Sequence, residues 1–373
     1  MVSQVAKRKR LRKNNIVAVS AVAVCAVAVL LWNDSSDKSE ESKLKVQFDD
    51  VVGRGFEALA SNDLYNAERI FSSFFDKKGN DLNSFNKVTY YHQLLVRSFY
   101  GDILFRKNDL EKAEAVWHPI FKDENTMNHF ASAGISQDEI LLSYVKILKF
   151  QKNDQEMLRI FDICYHKNGN ATEVLRKFGD LSSLRAIAGE VFFNHGENKR
   201  VIGLLRPFFK DSKLLTELTI KQQAIIRWYY GHSLLCEDKI DRAEEIFAPF
   251  FNESFKPTKL FEILNEEDQI ICRIRYAQTL LKGNNSEKIV KLLEVFFDKS
   301  GELLPQFRNS HFQDVICSIY GQALGKQNRF FESNRVFSWF VTHKKFITNL
   351  DQEEINLLTS LHANINRMWA KNW

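Results

Sequence analysis

GDILFRKNDLEKAEAVWHPIF, residues 101–121, decides the fold. Ile103, Leu104 and Phe105 end one apolar helical stretch, and Lys107-Asn108-Asp109 reads as a turn with an acid suited to cap the next helix. Leu110, Ala113, Val116 and Trp117 then recur at helical spacing. The pattern returns at residue 231, with Leu234 and Leu235, Asp238, then Ile240, Ala243, Ile246 and Phe247. It also precedes at residue 55, with Ala58 and Leu59, Asn62-Asp63, then Leu64, Ala67, Ile70 and Phe71.

Extending the frame gives seven copies, opened by Gly55, Gly101, Val145, Gly189, Gly231, Ala277 and Gly321, at intervals of 46, 44, 44, 42, 46 and 44 residues. Twenty residues after each start stand Phe75, Phe121, Tyr165, Phe209, Phe251, Phe297 and, as the exception, Val341. Self-similarity at this period predicts repeated helical hairpins that bury their apolar faces only against neighbours. Copy three departs most, with Val145 at the small position and Asn153-Asp154 one residue late. Pro119, Pro207 and Pro249 share one offset and are expected to end or kink the second helix.

The spacing of these residues resembles the tetratricopeptide repeat family. A small residue opens the close-packed turn (Gly55, Gly101, Gly231), a second follows twelve later (Ala67, Ala113, Ala243), and a large one sixteen later (Phe71, Trp117, Phe247). Small residues let two helices approach and the ring fills the gap. The resemblance implies an all-α fold, an α-solenoid of stacked antiparallel hairpins over residues 51–345. The family repeat is 34 residues, whereas these copies are longer. The extra residues precede the small position, as in TIKQQAIIRWYYGHSLL (219–235), so the first helix is expected to be extended. DQEEINLLTSLHANINRMWAKNW follows, and its Leu357, Leu361, Ile365 and Met368 stripe suggests a C-terminal capping helix over 346–373.

Ahead of the repeats, Ile16 to Trp32 reads IVAVSAVAVCAVAVLLW, 17 residues without a charge. As a helix it spans about 25 Å, close to a hydrocarbon core of about 30 Å. Residues 1–15 carry Lys7, Arg8, Lys9, Arg10, Arg12 and Lys13, and acids follow Trp32. The expected reading is a transmembrane signal anchor with a cytoplasmic N-terminus and the repeats on the opposite, periplasmic side. A cleaved signal peptide is the rival, but Trp-Asn-Asp follows Leu31 and no small-x-small site does. The polar stretch 33–50 reads as a spacer.

Six of the 52 basic residues lie in that tail, which leaves 46 against 47 acids in the body. A near-neutral body has no electrostatic footprint for nucleic acid. The five Cys form no C-x-x-C pair and read as structural thiols. No phosphate-binding loop and no H-E-x-x-H occurs, so neither cofactor, metal nor small-molecule substrate is expected, and the chain reads as non-enzymatic. His92, His195, His232 and His311 read as satisfied helical histidines, and Glu266-Glu267-Asp268 as helix-start acids.

In the resembled family the first helices line the partner-binding face, at residues one and five past the small position. Carried onto this chain, the partner-binding candidates are Asp102, Arg106, Glu190, Asn194, His232, Gln278, Lys282, Gln322 and Lys326. Phe56, Ala60, Lys146, Phe150 and Cys236 complete the columns. The implied function is a membrane-tethered scaffold for protein partners in a bacterial envelope assembly or secretion system. The alternative is a signal-anchored receptor on an organelle surface, with a cytosolic body that binds client peptides.

Overall fold

The computed structural model describes residues 40–132, 137–179, 182–299, 301–308, 310 and 312–342. The basic tail, the 16–32 anchor, His311 and the capping helix at 346–373 lie outside the described residues. Among the described residues the fold is all-helical, with isolated β-bridges in place of strands. Two compact units divide the chain, 1–184 and 185–373.

The first unit holds three helical hairpins: Glu40–Ala60 with Leu64–Ser72, Tyr90–Arg106 with Leu110–Phe121, and Gln137–Phe150 with Asp154–Cys164. The second holds four: Ser182–Asn194 with Asn198–Lys210, Ile220–Cys236 with Ile240–Phe247, Glu266–Lys282 with Ser286–Leu293, and Gln313–Lys326 with Phe330–Thr342. The described helix Glu40–Ala60 covers part of the stretch expected to be a spacer; Glu, Lys and Leu are strong helix formers.

One turn builds every hairpin. The residue seven past each start has positive φ: Asn62, Asn108, Lys152, Gly196, Asp238, Asn284 and Asn328. The following N–H bonds a carbonyl in the last turn of the first helix, as in Asp63 to Ala58 (2.8 Å), Asn153 to Leu148 (2.9 Å) and Arg329 to Leu324 (3.0 Å). This left-handed cap satisfies carbonyls that a helix end leaves open. Asn and Gly tolerate that conformation best, and they fill five of the seven positions. Copy three is therefore in the common register: Lys152 takes the left-handed position, and the late Asn153 is the N-cap, accepting from Glu156 N.

The small-residue contact also recurs. A Cβ on Gly231 would stand 2.9 Å from Phe247, and on Gly189 2.7 Å from Leu205, so only hydrogen fits beneath these side chains. The position twelve past each start is buried in every copy, and in copy seven the Ser333 hydroxyl donates 2.7 Å to the Gly321 carbonyl. Pro119 and Pro207 do not end their helices, which continue to Phe121 and Lys210. Each sits in the last turn, so the one N–H bond it removes and its clash with the carbonyl four residues back disturb only the helix end. At Pro249 the helix tightens into a 3-10 turn, Ala248–Phe250.

The added length of the first helix carries three residues that tie each hairpin together or to the copy before it. A Tyr just before the small residue stacks on the preceding copy's ring: Phe75 with Tyr100 (5.1 Å), Phe121 with Tyr144 (4.7 Å), Phe209 with Tyr230 (4.6 Å), Phe251 with Tyr276 (5.8 Å) and Phe297 with Tyr320 (4.1 Å). Copy four has Ala188 there. An Arg four before the small residue reaches its own second helix: Arg97 to Val116 O (3.1 Å), Arg185 to Leu204 O (3.2 Å), Arg227 to Ile246 O (3.4 Å) and Arg273 to Leu292 O (3.0 Å). A Gln eight before it donates its amide to carbonyls of the incoming loop, as Gln93 to Val88 O (2.8 Å), Gln137 to Phe130 O (2.9 Å), Gln223 to Leu218 O (2.9 Å) and Gln269 to Leu264 O (2.9 Å). Buried loop carbonyls need such partners.

Candidate functional site

The C-terminal ends of the first helices present one residue per copy to solvent. Five past the small position stand Ala60, Arg106, Phe150, Asn194, Cys236, Lys282 and Lys326, and all seven are exposed. Phe150 is 76% exposed, an unusual state for a large ring. The turn fixes this row, because the first helix stops at the same offset in each hairpin.

In the first unit, Asp102 and Arg106 form a surface ion pair at 2.8 Å, one helical turn apart. Lys146 is exposed. Phe56 is core instead: it is 5% exposed and packs on Phe71 (5.5 Å) and Phe99 (5.4 Å).

In the second unit the row forms ties between copies. Lys282 pairs with Asp238, the left-handed turn residue of the preceding copy. Lys326 donates 2.8 Å to Asn284 Oδ1, the same place one copy later. Gln278 accepts from Arg275 (2.9 Å), and Gln322 donates to Ser318 Oγ (3.1 Å). Glu190 is half-buried and Asn194 exposed. These pairs are solvent-exposed and each contributes about 0–1 kcal/mol.

His232 departs from its expected role. Phe193 lies 5.0 Å from its ring and Trp228 5.2 Å, and Phe193 stacks on Tyr229 at 4.4 Å. Its Nδ1 is buried without a partner, so it is not a satisfied helical histidine. Burial, with Arg275 nearby, pulls its pKa down from 6.5 to about 4. The unfolded chain takes up a proton near pH 6.5 that the folded chain refuses until about pH 4. Stability is therefore full above that window and falls with pH through it. Lowering the pH from 7 to 5 should cost roughly 2 kcal/mol from this group. Urea midpoints at both pH values check this, and His232→Leu should flatten the drop. An undiminished drop in that variant would place the acid sensitivity elsewhere.

Of the other residues singled out, His195 is satisfied by the Val191 carbonyl (2.8 Å). Glu266, Glu267 and Asp268 occupy the first turn of their helix. Cys164, Cys272 and Cys317 are buried free thiols, pushed up to about 12 or beyond by burial, while Cys236 is an exposed one. Among the described residues no group of His, Cys, Asp and Glu could hold a metal ion. No described helix is long and apolar enough to cross a membrane.

The connecting loops carry a further recurrent feature. After copies one, three, five and six the chain closes a small hairpin, bridging Phe75 with Asp81, Tyr165 with Ala171, Phe251 with Pro257, and Phe297 with Leu303. The Asp-Lys-x-Gly runs at 76–79 and 298–301 signal it, with Gly79 and Gly301 at positive φ. In copy five Phe255 takes that conformation without a glycine. No protein-family model matches the chain, and no curated protein matches it in sequence.

Proposed function

We propose that this chain is a non-enzymatic, membrane-tethered scaffold that binds protein partners through a tetratricopeptide-like solenoid. The observation that carries the proposal is the exposed position at one offset in each copy, repeated over three copies in the first unit and four in the second, on the helices that line the binding face in the resembled family. A row repeated every 42–46 residues suits an extended partner read by several weak contacts. The uncharged run Ile16–Trp32 behind six basic residues supplies the tether, with the repeats in the periplasm of a bacterial envelope. The partner belongs to an assembly or secretion machine of that envelope.

Two measurements test the tether. The full chain should resist carbonate extraction from membranes, and a chain lacking 16–32 should be released. Protease added to right-side-out spheroplasts should digest the region after residue 33. Complete protection of that region would contradict the periplasmic orientation and favour an organelle-surface receptor with a cytosolic body.

A further inference from the structure

The buried Arg that joins successive copies occurs in two settings. Arg97 is 5% exposed and forms an ion pair with Asp81, while its guanidinium lies 4.9 Å from the Phe85 ring. Asp81 is held by its backbone bridge to Phe75. Four copies on, every part of this site recurs except the acid. Arg273 is 7% exposed and lies between Phe251 (4.9 Å) and Phe261 (4.8 Å). Gln269 stands where Gln93 does, and Pro257, bridged to Phe251, stands where Asp81 does.

No carboxylate of the described residues pairs with Arg273. Beyond the bond from Nη1 to Leu292 O, its N–H groups have no acceptor among the described residues. Arg273 borders a cavity of about 590 Å³, also lined by Pro257, Phe261, Gln269, Ile270 and Phe307. That volume falls in the range of ligand pockets, ~300–1,000 Å³. Burial pulls the Arg273 guanidinium down to about 10, opposed by the neighbouring Cys272 and by no carboxylate. An unpaired buried charge is costly, and a carboxylate brought by a ligand offsets that cost. Glu262 and Glu266 also line the cavity, and both are exposed. They disfavour phosphates and other polyanions and leave room for one carboxylate on an apolar body.

We propose that this cavity binds an apolar peptide segment of a partner protein through one acidic side chain, whose carboxylate takes against Arg273 the place that Asp81 holds against Arg97. The peptide source rests on the partner-binding reading; the preference for a carboxylate stands on the cavity alone.

The test is isothermal titration of the purified full chain with acetyl-Phe-Asp-Leu-Phe-amide and its Asn counterpart, beside 4-phenylbutyrate and its amide. The Asp peptide should bind at least about tenfold more tightly than the Asn peptide, a difference of about 1.4 kcal/mol. Pro257→Asp supplies the internal acid in the backbone setting of Asp81 and should erase that preference. Arg273→Gln should erase it as well, and Pro257→Asp keeps the test decisive if that variant does not fold. Equal binding of both peptides, or a preference unchanged in Pro257→Asp, overturns the proposal. Tight binding of phenylbutyrate without the Asp peptide overturns the peptide source, whatever partner the exposed row binds.

Discussion

Trp117→Ala should lower the stability of the chain by about 3–5 kcal/mol, the range for removing a large ring from a packed core. Trp117 is 0% exposed, donates from Nε1 to Ser98 O at 3.3 Å, and covers Gly101 so closely that a Cβ there would meet the ring. Gly101→Ala should therefore cost about 1–3 kcal/mol by overpacking. The two changes touch the same space and should not add. With the ring gone, the added methyl enters a void, and Gly101→Ala should cost little in a Trp117→Ala background. Urea midpoints of the four chains measure the coupling. Simple additivity would mean that the ring does not rest on the glycine, and the shared frame of small and large residues would fail for copy two.

Arg97→Met should cost about 3 kcal/mol, near the low end for breaking a buried pair because Asp81 is 34% exposed and can be rehydrated. The variant loses the pair with Asp81 and the bond to the Val116 carbonyl. Asp81→Ala should cost less, about 1–2 kcal/mol. It turns the site into the arrangement at Arg273, where an unpaired guanidinium persists between two rings. Denaturant midpoints give both values. A greater loss from Asp81→Ala than from Arg97→Met would mean that the carboxylate has a role apart from Arg97, and that neither the ion pair nor the reach to the second helix accounts for its contribution.

The residues that build each hairpin were legible in the sequence because they recur in type as well as place. Gly or Ala at the start, an Asn-Asp turn, and a ring sixteen later carry the helical period and the turn chemistry together. The residues that join hairpins were not read from it. Gln93, Arg97 and Tyr100 lie in a stretch that reads only as an extended helix. Their partners are loop carbonyls and rings of another copy, which spacing within one helix does not reveal. The effect of proline follows the expectation in part: the helix ends at Phe247 ahead of Pro249, whereas Pro119 and Pro207 lie in a last turn that runs on to Phe121 and Lys210. The candidate row shows the same division. Its exposure follows from the turn, but the pairing of Lys282 with Asp238 and of Lys326 with Asn284 depends on the geometry between copies. The burial of His232 depends on Phe193 from the copy before.

The most direct measurement compares two triple charge reversals in the full chain by co-purification of its protein partner. One set is Arg106→Glu, Lys282→Glu and Lys326→Glu, on the exposed row. The other is Lys112→Glu, Lys288→Glu and Arg335→Glu, on the second helices. Each set gives up comparable surface contacts: Arg106 with Asp102 and Lys282 with Asp238 in the first, Lys288 with Glu244 and Arg335 with Glu302 in the second. Such exposed pairs contribute about 0–1 kcal/mol each, so both variants should remain folded with matching helical content. The partner should be lost from the first set and retained by the second. Loss from the second set alone, or equal retention by both, would contradict binding through the first-helix row.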